Sequence, residues 1–495
     1  MSTHQRQPSA ASQTGPSPRR ARASSSSSAC SVGTPAGDSW RRRLTGQLSL
    51  SGRLLGVVSP AEHSGATKLV AIGIGSVIFG VELLRDIFRV PEFRGAEVWL
   101  VDRDAAALGR MTRLAERLNA AAGWDVDMHS TTDRREALPG ARFVATAVAV
   151  DRLASWRTDH ELALRHGFAS VLSENGGPGG LSHTLRSVPL MVEIAEDIEA
   201  LAPDALLLNY TNPENRVCLA IRRHTAVAAI GLCHSVAGEI DEAAQLLGRP
   251  REDLDARAAG TNHFTWFLSI RDERDGSDLL PEYRRRARAA QPLAEPLRRL
   301  ISDRFGLEPA IGDDHIGEYL PWAAEVIGTK GYDFDGLARR GRRAVERLEA
   351  WGSGAESVQP LLDEPSDGAR VDHSAAEIMG DVIGGRTRRR PSFILPNDGL
   401  IENLPAESVV EVPGLIQDGS PCGVPVGAMP EPVAALLRHE LAVQDVAVEA
   451  ALEGSRDLAL EALLLDPVVN SARAAESFLD DALRTHRAHL PRFWG

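Results

Sequence analysis

Cysteine is scarce in this chain, with four among 495 residues. Four scattered thiols make no disulfide framework, so a reducing, cytoplasmic setting is expected, and a cysteine that matters there is a ligand or a nucleophile. Aromatic residues are few as well, at 5%, which argues against a stacking platform for nucleic-acid bases. Positive charge is in deficit: 55 Lys and Arg face 68 Asp and Glu, for a formal net charge of −13. That sign disfavours phosphate backbones and anionic membranes as partners. No apolar run approaches the ~20 residues that a spanning helix needs. Aliphatic residues are almost missing from "MSTHQRQPSAASQTGPSPRRARASSSSSACSVGTPAG" at the start. Such a Ser-, Pro- and Arg-rich segment cannot bury enough surface to offset its ordering entropy, and it has no apolar stretch of the secretory-signal kind. Residues 1–66 are expected to be a disordered tail.

What is present is a regular alternation. The length suggests two or three domains. "KLVAIGIG" (68–75) reads as a short buried strand, followed by a helical pattern through Val77, Leu83, Leu84 and Ile87. Gly73, Gly75 and Ser76 lie between them, where glycines permit a tight turn and let backbone N–H groups approach a pyrophosphate. Ile78 stands where the third glycine of a G-x-G-x-x-G pattern belongs, and Gly80 is out of phase. "AEVWLVDRD" is a second strand ending in Asp102 and Asp104, and an acid there suits the ribose hydroxyls of NAD rather than the phosphate of NADP. "ARFVATAVAV", "ALLLNYT" and "AVAAIGLCH" are further strands separated by amphipathic helices. Strands alternating with helices predict an α/β fold with a Rossmann-like, doubly wound parallel sheet. Its NAD-binding domain is expected over 67–235, followed by a mixed α+β substrate domain over 236–495.

Ligands of such a sheet gather at the carboxyl ends of its strands. Three polar clusters fall there: "SENGGPGG" with Glu174, "NYTNPEN" with Asn212, and "GLCHSV" with Cys233 and His234. Further on, "AAGTNHFTWFLSI" places His263 in a strand-like run. The separation of Cys233 and His263 matches no zinc finger, so a closed structural zinc site is not expected. An open site with one thiolate and one imidazole is compatible with the pair. The plainer reading is a small buried cysteine and a core histidine near Trp266.

"AIGIGSVIFGVELLRDI", "LLLNYTNPENRV", "GLCHSV", "AGTNHFTWF", "DDHIGEYLPWA" and "NDGLIENLPAESVVEVP" occur in that order. Together they resemble glycoside hydrolase family 4, the NAD- and manganese-dependent glycosidases, from about Lys68 to about Asp466. The resemblance implies a lactate/malate dehydrogenase-like fold and an unusual route. NAD takes a hydride from sugar C3, a base removes the acidified C2 proton, the aglycone leaves C1, water adds, and the hydride returns. It implies Mn2+ or another divalent metal on Cys233 and His263, and NAD on Gly73, Gly75, Ser76 and Asp102. Asn212 and Glu174 match positions that touch cofactor or sugar. His234 follows the ligand cysteine where branches acting on 6-phosphorylated sugars carry Asp or Asn, and it is the candidate acid for the leaving oxygen. His315 stands where the phosphoglucosidase branch has a tyrosine, so the candidate base moves to Asp313, with Asp314 beside it. Both acids also read as helix caps. The activity expected is hydrolysis of unphosphorylated α-glycosides, α-galactosides first and α-glucuronides or α-galacturonides next, by a homo-oligomer (dimer or tetramer). A plain NAD-dependent 2-hydroxy-acid dehydrogenase and a non-catalytic NAD sensor are the alternatives.

Overall fold

Short aliphatic runs without polar interruption favour a sheet covered on both faces, because only there is every side chain hidden. The computed structural model describes residues 67–289, 295–363 and 373–494, and the expected tail 1–66 lies outside them. Its first six strands are β1 (Lys68–Ile72), β2 (Glu97–Val101), β3 (Asp127–Thr131), β4 (Phe143–Thr146), β5 (Leu206–Asn209) and β6 (Ala228–Gly231). They pair in parallel in the order β3-β2-β1-β4-β5-β6. This is the doubly wound arrangement, and its winding reverses between β1 and β4, where a crevice opens at the carboxyl ends.

Alternation along β1 sorts the core. Leu69 and Ala71 join Phe143 and Leu208 on one face. Val70 and Ile72 join Val144 and Leu207 on the other. Helices α1 (Phe79–Ile87) and α2 (Ala105–Ala122) cover the first face through Leu83, Leu84, Leu108 and Met111. The second face is covered by α3 (Arg152–Arg165), α4 (Gly177–Leu201) and α5 (Glu214–His224), with Leu162, Val188, Met191 and Val217 pointing inward.

The sheet does not stop at the expected boundary after residue 235. Helix α6 (Ser235–Leu247) leads into β7 (Leu254–Thr261), β8 (Phe264–Asp272) and β9 (Glu308–Pro309), and β10 (Arg388–Pro396), β11 (Val409–Gln417) and β12 (Ser420–Gly423) follow. β10 pairs antiparallel with β6, and β11, β7, β8 and β9 continue outward. The C-terminal part also returns to the N-terminal face. Among its helices are α7 (Pro296–Phe305), α8 (Phe334–Ser353) and α9 (Ala375–Ile383). Leu348, Trp351, Ile378 and Met379 of α8 and α9 share one core with Leu69 and Phe143. Pulling the halves apart would expose these side chains at about 1.5–3 kcal/mol each.

The run around His263 is two strands rather than one. β7 and β8 form an antiparallel hairpin, with Thr261 opposite Phe264. Asn262 and His263 make its turn, and His263 has φ 107°. The turn lifts the imidazole out of strand alternation and aims it at the crevice.

Candidate active site

A cleft of about 1570 Å³ follows the crevice, and Gly73, Ser76 and Asp102 line one end. Gly73 has φ +83°, and a Cβ there would meet Ala147 O at 2.5 Å. Only glycine fits that left-handed, crowded turn. Gly80 does the work expected of the third motif glycine: a Cβ on it would stand 2.0 Å from Ile74 O, so its absence lets α1 lie against the turn. Gly75 departs from expectation. It is not among the lining residues. Its N–H donates to Asp102 Oδ2 at 2.8 Å, and a Cβ would stand 2.6 Å from that oxygen. Gly75 therefore makes room for Asp102. Asp102 Oδ1 also accepts from Asp104 N at 2.9 Å, which presents the carboxylate rigidly. Asp104 caps α2 by accepting from Ala106 N and Ala107 N.

Strand ends and loops converge at the other end. Asn212 follows β5, Cys233 and His234 follow β6, and all three line the cleft with Glu174, His263 and His315. Cys233 Sγ is 3.5 Å from His263 Nε2. Two donors held by one ion at about 2 Å each stand at about this separation, so the pair fits a shared metal. Burial pushes the Cys233 thiol up, and Glu411 and Glu214 behind it add to this. Burial holds His263 well below the usual histidine value, with His315 and His234 acting in the same direction. The result is a neutral imidazole, the form that binds a metal. His234 opens α6 and is exposed to the cleft. Its pKa is lowered by desolvation and then by His315.

Asp313 does not join this group. It is absent from the cleft lining. Its carboxylate accepts from Leu297 N at 2.8 Å and Arg298 N at 2.6 Å, capping the first turn of α7. Glu295, just before that helix, accepts from Asp313 N at 2.6 Å in return. The helix-cap reading corrects the expectation of a base at this position, because both carboxylate oxygens are committed to α7. His315, two residues on, takes the place in the cleft. Its Nδ1 lies 2.7 Å from Asp314 Oδ1 and its Nε2 lies 3.9 Å from Glu174 Oε2. Burial opposes its charge, but Asp314 and Glu174 outweigh burial and its pKa rises to about 9.

Two residues that lie inside the quoted motifs without a role assigned there hold the site together. Glu318 is buried and accepts from Glu174 N at 2.5 Å and Asn175 N at 3.0 Å, which pins the "SENGG" loop. Asn175 places its side-chain amide 2.5 Å from His263 Nδ1. Arg152 approaches Glu174 at 3.5 Å with its side chain half exposed.

The family 4 glycosyl hydrolase model matches residues 68–249, and the family 4 C-terminal domain model matches 258–469. The chain belongs to family 4 of the glycosyl hydrolases. This family 4 chain is 31% identical over 457 residues to an alpha-glucosidase of Erwinia rhapontici, covering 84% of itself and 97% of that protein. It is 30% identical over 443 residues to an alpha-galactosidase of Bacillus subtilis, covering 86% of itself and 99% of that protein. Among solved structures it is similar to a 6-phospho-alpha-glucosidase from gut microorganisms in complex with NAD and Mn2+, with a TM-score of 0.75 and 23% identity, over 86% of this chain and 99% of that one. Family membership makes the protein a glycoside hydrolase and sets aside the alternatives of a 2-hydroxy-acid dehydrogenase and a bare NAD sensor. No helix among the described residues is long and apolar enough to cross a membrane.

Proposed function

We propose that this family 4 enzyme hydrolyses α-glycosides of unphosphorylated hexoses, with α-galactosides and α-glucosides as the first substrates to test, using NAD and a divalent metal. The observation that carries the reading is the Cys233–His263 pair, 3.5 Å apart in one cleft with Asp102 at its far end. The donor set fits a metal: a thiol, a neutral imidazole and nearby carboxylates in a largely buried setting. The turn Gly73–Ser76 and the carboxylate of Asp102 fit a dinucleotide. When bound, NAD supplies the oxidant for sugar C3, and the metal supplies Lewis acidity at the sugar oxygens. Cys233 and His263 hold the ion. Asn212 and Glu174 orient the sugar hydroxyls. His234, exposed in the cleft, carries the proton for the departing oxygen. Asp102 anchors the adenosine ribose. A cytoplasmic location accords with the thiol usage.

Two further points bear on substrate. The Erwinia rhapontici and Bacillus subtilis relatives are named for neutral hexosides. Arg152, half exposed beside Glu174, supports α-uronides as a second reading, since a sugar carboxylate needs a cation.

The test is a panel of nitrophenyl α-glycosides and α-uronides with NAD+, Mn2+ and reductant, run in D2O. C2 deprotonation places solvent deuterium at C2 of the product sugar. Deuterium at C2 with strict NAD+ dependence is the expected outcome. Hydrolysis without NAD+ and without deuterium at C2 would overturn the reading.

A further inference from the structure

The metal reading accounts for Cys233 and His263 but leaves His315 and Glu174 close by. Glu174, His263 and His315 each offer a ligand atom within 4.8 Å of one another, a group that Cys233 joins through His263, 3.5 Å away. The His263 and His315 rings approach edge to face, with centroids 4.5 Å apart. We propose that the ion on Cys233 and His263 takes two more protein donors, His315 Nε2 and the Glu174 carboxylate, with Asp314 as the positioning residue behind His315.

The His315 imidazole is held as a metal-ligating histidine is. A ligating histidine commits its other ring nitrogen to a polar partner, which sets the tautomer and the ring orientation. His315 Nδ1 is 2.7 Å from Asp314 Oδ1. An aspartate carboxylate only accepts, so Nδ1 keeps its proton toward Asp314, and Nε2, turned toward Glu174, is the nitrogen that would take an ion in place of its own proton. At His263 the Asn175 side-chain Nδ2 lies 2.5 Å from Nδ1. Its buried Oδ1 has no hydrogen-bond partner among the described residues. With the amide flipped, its oxygen would accept from Nδ1–H and leave Nε2 to face Cys233 Sγ.

Charge points the same way. Glu174 and Glu318 are both buried, and Glu318 fixes the backbone of Glu174 through two N–H groups. A buried carboxylate needs a cation, and this one has Arg152 at 3.5 Å on one oxygen and His315 Nε2 at 3.9 Å on the other. One thiolate, two imidazoles and one carboxylate leave about two positions on an octahedral ion. A vicinal diol of a sugar fills two.

This inference rests on the metal reading above, and its test separates the two. Mn2+ bound to the full-length enzyme is examined by pulsed electron paramagnetic resonance, which counts coordinated imidazole nitrogens. Mn2+ affinity is measured by titration, with thermal melting as the folding control. Two imidazoles are expected in the wild type, and this measurement needs no variant. His315→Ala should show one imidazole and lose affinity about 100-fold, and Asp314→Asn should lose about 10-fold. One imidazole in the wild type, with affinity unchanged in His315→Ala but lost in Cys233→Ser, would overturn the inference and leave the metal reading standing. Affinity unchanged in Cys233→Ser as well would overturn both.

Discussion

At the Asp102 end of the cleft, Gly73, Ser76 and Asp102 come from one short strand–turn–helix–strand passage, and backbone geometry does most of the building. At the Cys233 end, Glu174, Cys233, His263 and His315 come from four separate segments, and side chains do the building. The first kind of site is a local property of the chain. The second exists only once the sheet and the β7–β8 hairpin have brought the segments together. If this division is real, substitutions at one end should spare the ligand of the other.

Cys233→Ser should produce the largest effect. Losing a Lewis acid that supplies several kcal/mol corresponds to about 10³-fold in kcat/KM. NAD+ affinity should stay near wild type, since Asp102 and Gly73 are untouched. In the wild type, Mn2+ affinity should fall as pH drops. Burial first, and then Glu411 and Glu214, hold the Cys233 proton on, and the ion must displace it. Equal loss of NAD+ affinity in Cys233→Ser would break the division between the two ends.

His234→Ala should keep both ligands and slow cleavage by about 10²-fold for alkyl leaving groups. Nitrophenyl substrates should be partly spared, because their leaving oxygen needs little help. A series of kcat/KM values across leaving-group pKa checks this, and a uniform loss across the series would falsify the acid role.

Gly75→Val sharpens the comparison from the other side. The added side chain must displace Asp102 and Ala107. Overpacking of this kind costs about 1–3 kcal/mol, so NAD+ affinity should fall about 10- to 100-fold while Mn2+ binding persists. Calorimetric titration of each ligand reads the two effects separately.

The same contrast explains what could be read before the fold was known. The strands β1, β2, β4, β5 and β6 announce themselves as aliphatic runs, and the Gly73–Ser76 turn sits at a recognisable junction. β3, with the sequence "DMHST", has no aliphatic run to mark it. The hairpin at Asn262–His263 was hidden because both of its strands are apolar and no Gly-Pro or Asn-Gly pair marks the turn. Cys233 and His263 were reachable through the family resemblance, not through spacing. Glu318 and Asn175 were not reachable, because their roles lie in contacts across 144 and 88 residues of chain. Gly80 was passed over for being out of phase, although what matters is its approach to Ile74, which no one-dimensional pattern encodes.

The smallest effect expected concerns the residue that sequence reading placed in catalysis. Asp313 and Glu295 form a reciprocal clasp: Asp313 receives the N–H groups of Leu297 and Arg298, and Glu295 receives the N–H of Asp313. Removing a capping side chain costs about 1 kcal/mol. Asp313→Ala should therefore lower the melting temperature by a few degrees, on the order of ΔΔG divided by the unfolding entropy of a protein this size. Its kcat/KM should stay near wild type below the melting range, because the carboxylate faces α7 and not the cleft. His315→Ala, two residues on, should behave oppositely, with catalysis impaired more than stability. Deuterium incorporation at product C2 distinguishes the outcomes most directly. If C2 exchange stops in Asp313→Ala at a temperature where the protein is folded, the carboxylate leaves its cap during turnover and the original assignment returns. If exchange continues, Asp313 belongs to the scaffold that carries His315 into the cleft.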